Sequence, residues 1–177
     1  MSKDQKVLLW INLLGGSAVI GSYAWGILTH PGTGNLLWGN IPLAAIPPYI
    51  ISLLFGALGY LLFTRYLLFY FKPTEMTVQI KAGFRGLHIL YLLILIPSAF
   101  WMPLAYTMLS SPSNLLWFCI RFTLLLVGLG ALEMVFAFLS IRPRSRLLNA
   151  GITSSIFFCF HTAIIDAFIW PGYFVLP

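Results

Sequence analysis

The segment "LLWFCIRFTLLLVGLGALEMVFAFLSI", residues 115–141, decides the class of fold. It is an almost unbroken apolar run that contains only two charged side chains, Arg121 and Glu133. A helix that spans a bilayer needs about 20 consecutive apolar residues, and this run is longer than that. Because lipid offers the backbone no hydrogen-bond partners, a single run of this kind predicts a transmembrane helix.

Four further segments have the same length and character. We predict the five helices at residues 7–28, 48–71, 86–109, 115–141 and 149–173. The composition agrees, since 60% of the residues are hydrophobic and only 8% are charged, whereas soluble domains carry about a quarter charged residues. The predicted fold class is an all-α integral membrane protein, with five transmembrane helices forming one membrane domain over residues 1–177.

The distribution of lysine and arginine predicts an orientation. Nine of the ten basic residues lie before the first predicted helix, around the second loop or in the fourth loop: Lys3, Lys6, Arg65, Lys72, Lys81, Arg85, Arg142, Arg144 and Arg146. The exception is Arg121, and the first and third loops have none. By the positive-inside rule, the N-terminus is cytoplasmic and the C-terminus is outside.

The net charge of +6 and the pI of about 9.6 do not indicate a nucleic-acid-binding protein. The basic residues lie between apolar runs and form no patch with interleaved aromatic residues, which nucleic-acid binding favours. We therefore expect a bilayer as the surrounding medium. A bacterial inner (cytoplasmic) membrane or an organellar membrane fits this pattern.

Charged residues inside the predicted helices are candidates for ion pairs, because an unpaired charge in lipid costs several kcal/mol. Counting the helical rise from the centre of each helix places Arg121 and Asp166 at similar depths, about 10 Å and about 8 Å toward the outside. Glu133 and Arg65 share a depth about 8 Å toward the cytoplasm. We predict the pairs Arg121–Asp166 and Glu133–Arg65, with His88 near the second pair.

The fifth predicted helix carries both His161 and Asp166. At 100° per residue the two side chains are about 140° apart around an α-helix, which predicts that they lie on different faces. Asp166 continues a polar stripe that we expect to face the fourth helix. His161, near the middle of the membrane, needs a hydrogen-bond partner or a ligand from elsewhere.

In outline, a five-helix, aromatic-rich chain of this length is similar to the tryptophan-rich sensory or translocator proteins. The similarity is carried by Tyr91, Trp101 and Pro103 on the third predicted helix. The segment "SLLFGALGYLLFTR" departs from the family pattern, and the fifth helix has His161 and Asp166 in place of its usual asparagine. The resemblance implies a tetrapyrrole or a sterol as a type of ligand, and it does not extend to membership of the family.

The histidines and cysteines predict no metal site. The three histidines lie at three different depths, which disfavours a haem held between two of them. No cofactor is predicted, although one histidine alone remains an option as the ligand of a tetrapyrrole. Candidate ligand-binding residues are His161, Trp101 and His88.

The sequence leaves three functions open. The first is a non-catalytic accessory or structural subunit of a larger membrane complex, or a homo-oligomer, held by aromatic and small-residue faces. The second is a binding protein for a lipophilic ligand (lipid, sterol or tetrapyrrole) in a pocket between helices. The third is a membrane enzyme or a proton-coupled carrier that uses Glu133, His161 and Asp166.

Overall fold

A computed structural model describes residues 1–71 and 83–174 of the chain. Five helices make up most of this part: α1 (Lys3–Thr29), α2 (Ile46–Phe69), α3 (Gly83–Ser110), α4 (Asn114–Ser140) and α5, which begins at Arg146. Each is long and apolar enough to cross a membrane, and the described residues contain no strand. The prediction of five such helices is confirmed. Lys72 and Lys81, which contribute to the predicted orientation, lie outside the described residues.

Helix α5 changes its hydrogen-bonding pattern along its length. It is α-helical over Arg146–Cys159, a π-helix over Phe160–Ile169 and a 3₁₀ turn over Trp170–Gly172. The continuous helical segment Arg146–Gly172 is called α5 below. A π-helix is uncommon, is frequently found at functional sites and changes which side chains share a face.

The helix starts follow from local sequence. Ser2, Ser113 and Ser145 stand directly before α1, α4 and α5, and each side chain accepts a hydrogen bond from a backbone N–H of the first turn. Serine at this position satisfies a donor that has no partner within the helix. Helix α2 begins with Pro47 and Pro48 instead, where the missing proline N–H costs nothing.

The helices form a ring in the order α1, α3, α4, α5, α2, and the contact between α1 and α2 is the weakest. Near the end where the chain begins, Gln5 donates hydrogen bonds to the carbonyls of Leu67 (3.2 Å) and Phe71 (3.0 Å). One level further along, Tyr60 donates to Asn12 at 2.6 Å. In the other half of the bundle, no hydrogen bond or ring contact is seen between α1 and α2 among the described residues, although Tyr23 of α1 interacts electrostatically with Tyr49 of α2. We call this weakly packed boundary the α1–α2 opening.

Helices α2 and α5 pack closely because glycines of α2 face α5. A Cβ atom on Gly56 would lie 3.1 Å from Cβ of His161, and one on Gly59 would collide with the backbone carbonyl of Ser154. Glycine at a helix–helix contact lets two backbones approach. This close packing positions His161 against α2.

Residues 34–45, between α1 and α2, form a cap over the end of the bundle where the described chain finishes. The cap contains the 3₁₀ turns Gly34–Trp38 and Leu43–Ala45. It is tied to the end of α5 by two hydrogen bonds, from Asn40 N to Tyr173 O (2.8 Å) and from Trp170 Nε1 to Leu37 O (2.9 Å). The cap is therefore held against this end of the bundle.

Candidate functional site

The most polar group of side chains inside the bundle lies beneath the cap, between α2 and α5. Tyr49 of α2 donates a hydrogen bond to Oδ1 of Asp166. Nε2 of His161 lies 3.4 Å from Oδ2 of the same carboxyl group, and Nδ1 of His161 lies 3.2 Å from Oγ of Ser52. These four residues, Tyr49, Ser52, His161 and Asp166, are called the Asp166 cluster below.

The hydrogen bonds of the Asp166 cluster form one consistent chain. A neutral imidazole has one donor nitrogen and one acceptor nitrogen. With the proton on Nε2, His161 donates to Asp166 and accepts from Ser52. Both oxygens of Asp166 then face a donor, from Tyr49 on one side and from His161 on the other. This tautomer is assigned from the pattern of partners.

The π-helix brings His161 and Asp166 together, and the prediction that they lie on different faces is wrong. In an α-helix, residues five apart differ by about 140° in direction. A π-helix forms hydrogen bonds from residue i to residue i+5, so residues five apart return to nearly the same side of the axis. His161 and Asp166 both lie within the π-helical Phe160–Ile169. Asp166 therefore contacts α2 instead of continuing a stripe toward α4.

Aromatic rings surround the Asp166 cluster. The ring of Tyr49 packs edge-on against His161 (centroid distance 5.6 Å) and against Trp38 of the cap (5.2 Å). Tyr23 of α1 lies near enough to Asp166 for an electrostatic interaction, and its ring stacks on Trp101 at 5.7 Å. Trp101 also packs against Trp170 at 5.6 Å.

The carboxyl group of Asp166 is not sealed from its surroundings. Its side chain is 26% exposed, whereas the side chain of His161 is only 8% exposed. The cap lies above it, and Tyr23, which borders the α1–α2 opening, is 38% exposed. Asp166 is therefore a partly exposed carboxyl group that lies beneath the cap and beside Tyr23 of α1.

One buried donor near the cluster has no partner. The indole N–H of Trp101 is enclosed and makes no hydrogen bond to any residue that the structure describes. Buried polar groups are almost always hydrogen-bonded, and each exception asks for an explanation. Trp101 was a candidate from the sequence, and the structure links it to the Asp166 cluster through Tyr23.

The predicted pair Arg121–Asp166 is not formed among the described residues. Arg121 is half-buried on α4, with its guanidinium group 5.8 Å from the centre of the Trp117 ring. The depths of the two residues were similar, but the π-helix directs Asp166 toward Tyr49 of α2. A shared depth places two side chains at one level, and the direction of each helix face decides whether they meet.

The predicted pair Glu133–Arg65 is not formed either within residues 1–71 and 83–174. Glu133 is exposed on the outer face of α4. Arg65 is also exposed, and its Nη2 lies 3.3 Å from the hydroxyl oxygen of Tyr70. His88 lies elsewhere again, with Nε2 3.0 Å from the carbonyl oxygen of Asp4 in the first turn of α1.

Sequence reasoning missed Tyr23, Tyr49 and Ser52. Neutral hydroxyl side chains are common in membrane helices, so they give a weaker signal than a charge. The depth argument applied to Asp166 would have found Tyr49, because it lies in the first turn of α2 at the same end of the bundle. Among the described residues, no three His, Cys, Asp or Glu side chains gather in a group that would suit a metal ion.

The chain was compared with protein-family models, curated proteins and solved structures, and none of the three comparisons finds a match.

Proposed function

We propose that this chain is a non-catalytic, multi-pass membrane protein that binds a lipophilic molecule at the Asp166 cluster. The supporting observation is the partial exposure of Asp166, a hydrogen-bonded carboxyl group in an aromatic environment. Ligand sites of this type are mostly apolar and hold a few well-placed polar groups that orient the ligand. The polar end of the molecule binds at Asp166, and its apolar part lies along Tyr23 and the neighbouring rings.

The residue types Ser52, His161 and Asp166 also occur in nucleophilic hydrolases, and for this reason catalysis has to be weighed. In such enzymes the serine is activated by a histidine and the developing oxyanion is held by free N–H donors. Ser52 lies inside α2, where the surrounding backbone N–H groups belong to the helix. The third sequence-based alternative needs Glu133 as well, and Glu133 lies on the outer face of α4, away from the cluster. Binding is therefore the simpler proposal.

The binding proposal is tested by analysing what the purified protein retains. We expect detergent-purified protein to carry one lipophilic molecule per chain, identified by extraction and mass spectrometry. Replacing Tyr49 with Phe removes the hydrogen bond to Asp166 and keeps the ring, so the amount retained should fall several-fold. The control is Tyr70→Phe, which removes a hydroxyl that contacts Arg65 instead. Equal retention by the wild type and both variants would contradict the proposal.

We also propose that the bundle crosses a bacterial inner membrane or an organellar membrane, with the N-terminus on the cytoplasmic side. The alternation of basic and neutral loops supports this orientation. The five helices have the length and hydropathy that spanning requires.

The orientation predicts opposite accessibility for the two ends of α5. Single cysteines at Ser145 and Tyr173, in a background without Cys119 and Cys159, should react with a membrane-impermeant maleimide from opposite sides of the membrane. Ser145 should react only from the cytoplasmic side, because it follows the arginine-containing loop. Labelling of both positions from the same side would contradict the proposed topology.

A second function is favoured by Glu133. This carboxyl group stands on the exposed face of α4 and has no partner among the described residues, and a charge facing lipid is costly. A subunit of a larger complex would bury it against a basic side chain of another protein. A protein that co-purifies at one copy per chain and is released by Glu133→Gln would support this function, and its absence from native membranes would oppose it.

A further inference from the structure

We infer that the Asp166 cluster binds a lipophilic ammonium compound, an amphiphile with a positively charged nitrogen, which enters through the α1–α2 opening. The inference rests on the proposed binding function and names the class of ligand. It follows from three features of the site: its charge, its aromatic rings and its direction of access.

The charge of the site favours a cation. With His161 neutral, the carboxyl group of Asp166 is the one side chain of the Asp166 cluster that supplies a negative charge when it ionises. No lysine or arginine contacts Asp166 among the described residues, and Arg121 contacts Trp117 instead. Tyr49 and His161 stabilise the carboxylate by hydrogen bonds but leave its charge in place. A bound ammonium group would neutralise it in a medium where an uncompensated charge is costly.

The aromatic residues favour an ammonium group over a metal ion or a guanidinium-binding fork. Tyrosine and tryptophan rings attract cations at their faces, and aromatic walls beside a carboxylate are a recurrent way to bind quaternary and primary amines. Tyr49 contacts Asp166 through its hydroxyl group, Tyr23 lies near Asp166, and Trp101 stacks on Tyr23, so three such rings lie close to the carboxyl group.

The route of access favours an amphiphile. The cap covers the cluster along the bundle axis, through the contact of Trp38 with Tyr49 and the hydrogen bond from Trp170 to Leu37. Asp166 is partly exposed and interacts with Tyr23 of α1, so the route that this proposal assigns to the ligand runs past Tyr23, through the α1–α2 opening, to the side of the bundle. In the proposed orientation this side is lipid, so a ligand has to be dissolved in the membrane before it reaches the site.

The inference is tested with three probes that share one alkyl chain and differ in the head group: dodecyltrimethylammonium, dodecanol and dodecanoate. Binding of each radiolabelled probe to the full chain in dodecyl maltoside is measured by equilibrium dialysis at constant detergent concentration. We expect saturable binding of one dodecyltrimethylammonium per chain. Dodecanoate should bind at least tenfold more weakly, because its charge repels that of Asp166.

Two variants and one control locate the binding. Asp166→Asn keeps the shape and removes the charge, so the affinity for dodecyltrimethylammonium should fall at least tenfold. Tyr23→Leu removes the ring of α1 that lies near Asp166, so it should weaken binding several-fold, and it serves if Asp166→Asn does not fold. The matched control is Glu133→Gln, which removes a carboxylate on the outer face of α4 and should leave the affinity unchanged.

The outcomes separate the ligand class from the binding function. One outcome is that dodecanol binds saturably to the wild type and more weakly to the Tyr49→Phe variant, while the ammonium compound does not bind. The ammonium inference is then overturned and the binding function stands. If no probe binds, both proposals fail. Equal affinity of the ammonium compound for the wild type and Asp166→Asn would assign its binding to the micelle or to another surface, and would overturn the inference.

Discussion

Replacing Gly59 with alanine should lower the stability of the folded bundle by about 3 kcal/mol, the upper end of the usual cost of overpacking a core. The added Cβ atom would collide with the carbonyl oxygen of Ser154 and approach the carbonyl carbon to 3.3 Å. Both belong to the backbone of α5, so the clash is relieved only if the two helices separate. The change is measured as the midpoint of thermal unfolding in detergent.

The chain offers a matched control for this substitution. Gly16 lies in α1, and a Cβ atom there would meet nothing within 4 Å. Gly16→Ala should therefore leave the stability unchanged or raise it by about 0.5–1 kcal/mol, the ordinary gain of alanine over glycine inside a helix. Similar unfolding midpoints for the two variants would show that α2 and α5 do not pack at Gly59 as described.

The same contact connects stability to the candidate site. Gly59 and Gly56 lie on the face of α2 that meets α5, and Gly56 packs directly against His161. Tyr49 and Ser52 reach the Asp166 cluster from this helix. Separating α2 from α5 would therefore lengthen the hydrogen bonds of the cluster before the whole bundle unfolds, and retention of the ligand should fall in Gly59→Ala as well.

The number of helices could be predicted from the sequence because hydropathy and length are local properties. The run at residues 115–141, for example, became α4, Asn114–Ser140. The segment with both His161 and Asp166 was equally clear as a helix. Backbone hydrogen bonding in lipid leaves few alternatives to a helix, so composition alone carries this part of the fold.

The partners of the ionisable side chains could not be predicted in the same way. Depth along a helix follows from counting residues, but direction around the axis depends on the helical period. The sequence gives no signal for the π-helix over Phe160–Ile169, and the change of period alters the direction of Asp166. Asp166 therefore meets Tyr49 and His161, while Arg121 packs on Trp117. Only the packed structure contains this information.

Helix α1 illustrates a second limit of sequence reasoning. It is apolar enough to span a membrane, with a mean hydropathy of 1.5 against 1.7 to 2.2 for the other helices, yet most of its surface is exposed and it packs mainly on α3. Its hydrogen bonds to α2 lie in one half of the bundle, at Gln5 and Asn12. Hydropathy does not distinguish a helix that closes a bundle from one that leaves a lateral opening, and the access route to Asp166 depends on this difference.

The second large effect concerns the contact between His161 and Asp166, and it is best measured by a double-mutant cycle. His161→Phe alone leaves one oxygen of Asp166 without its donor, and Asp166→Leu alone leaves His161 and Tyr49 without their acceptor. Each single change should cost about 1–3 kcal/mol, the penalty for a buried polar group that loses its partner. The double variant should cost less than the sum of the two, with a coupling of about 0.5–3 kcal/mol.

A second cycle provides the control. His88 hydrogen-bonds the carbonyl of Asp4 near the start of α1, far along the bundle from Asp166, and the two side chains share no partner. The costs of His88→Phe and Asp166→Leu should therefore add within about 0.5 kcal/mol. Additive costs in the first cycle too would mean that His161 and Asp166 do not act as a pair. A coupling seen only in the first cycle would establish that the π-helical segment of α5 joins them, because in an α-helix their side chains would point about 140° apart.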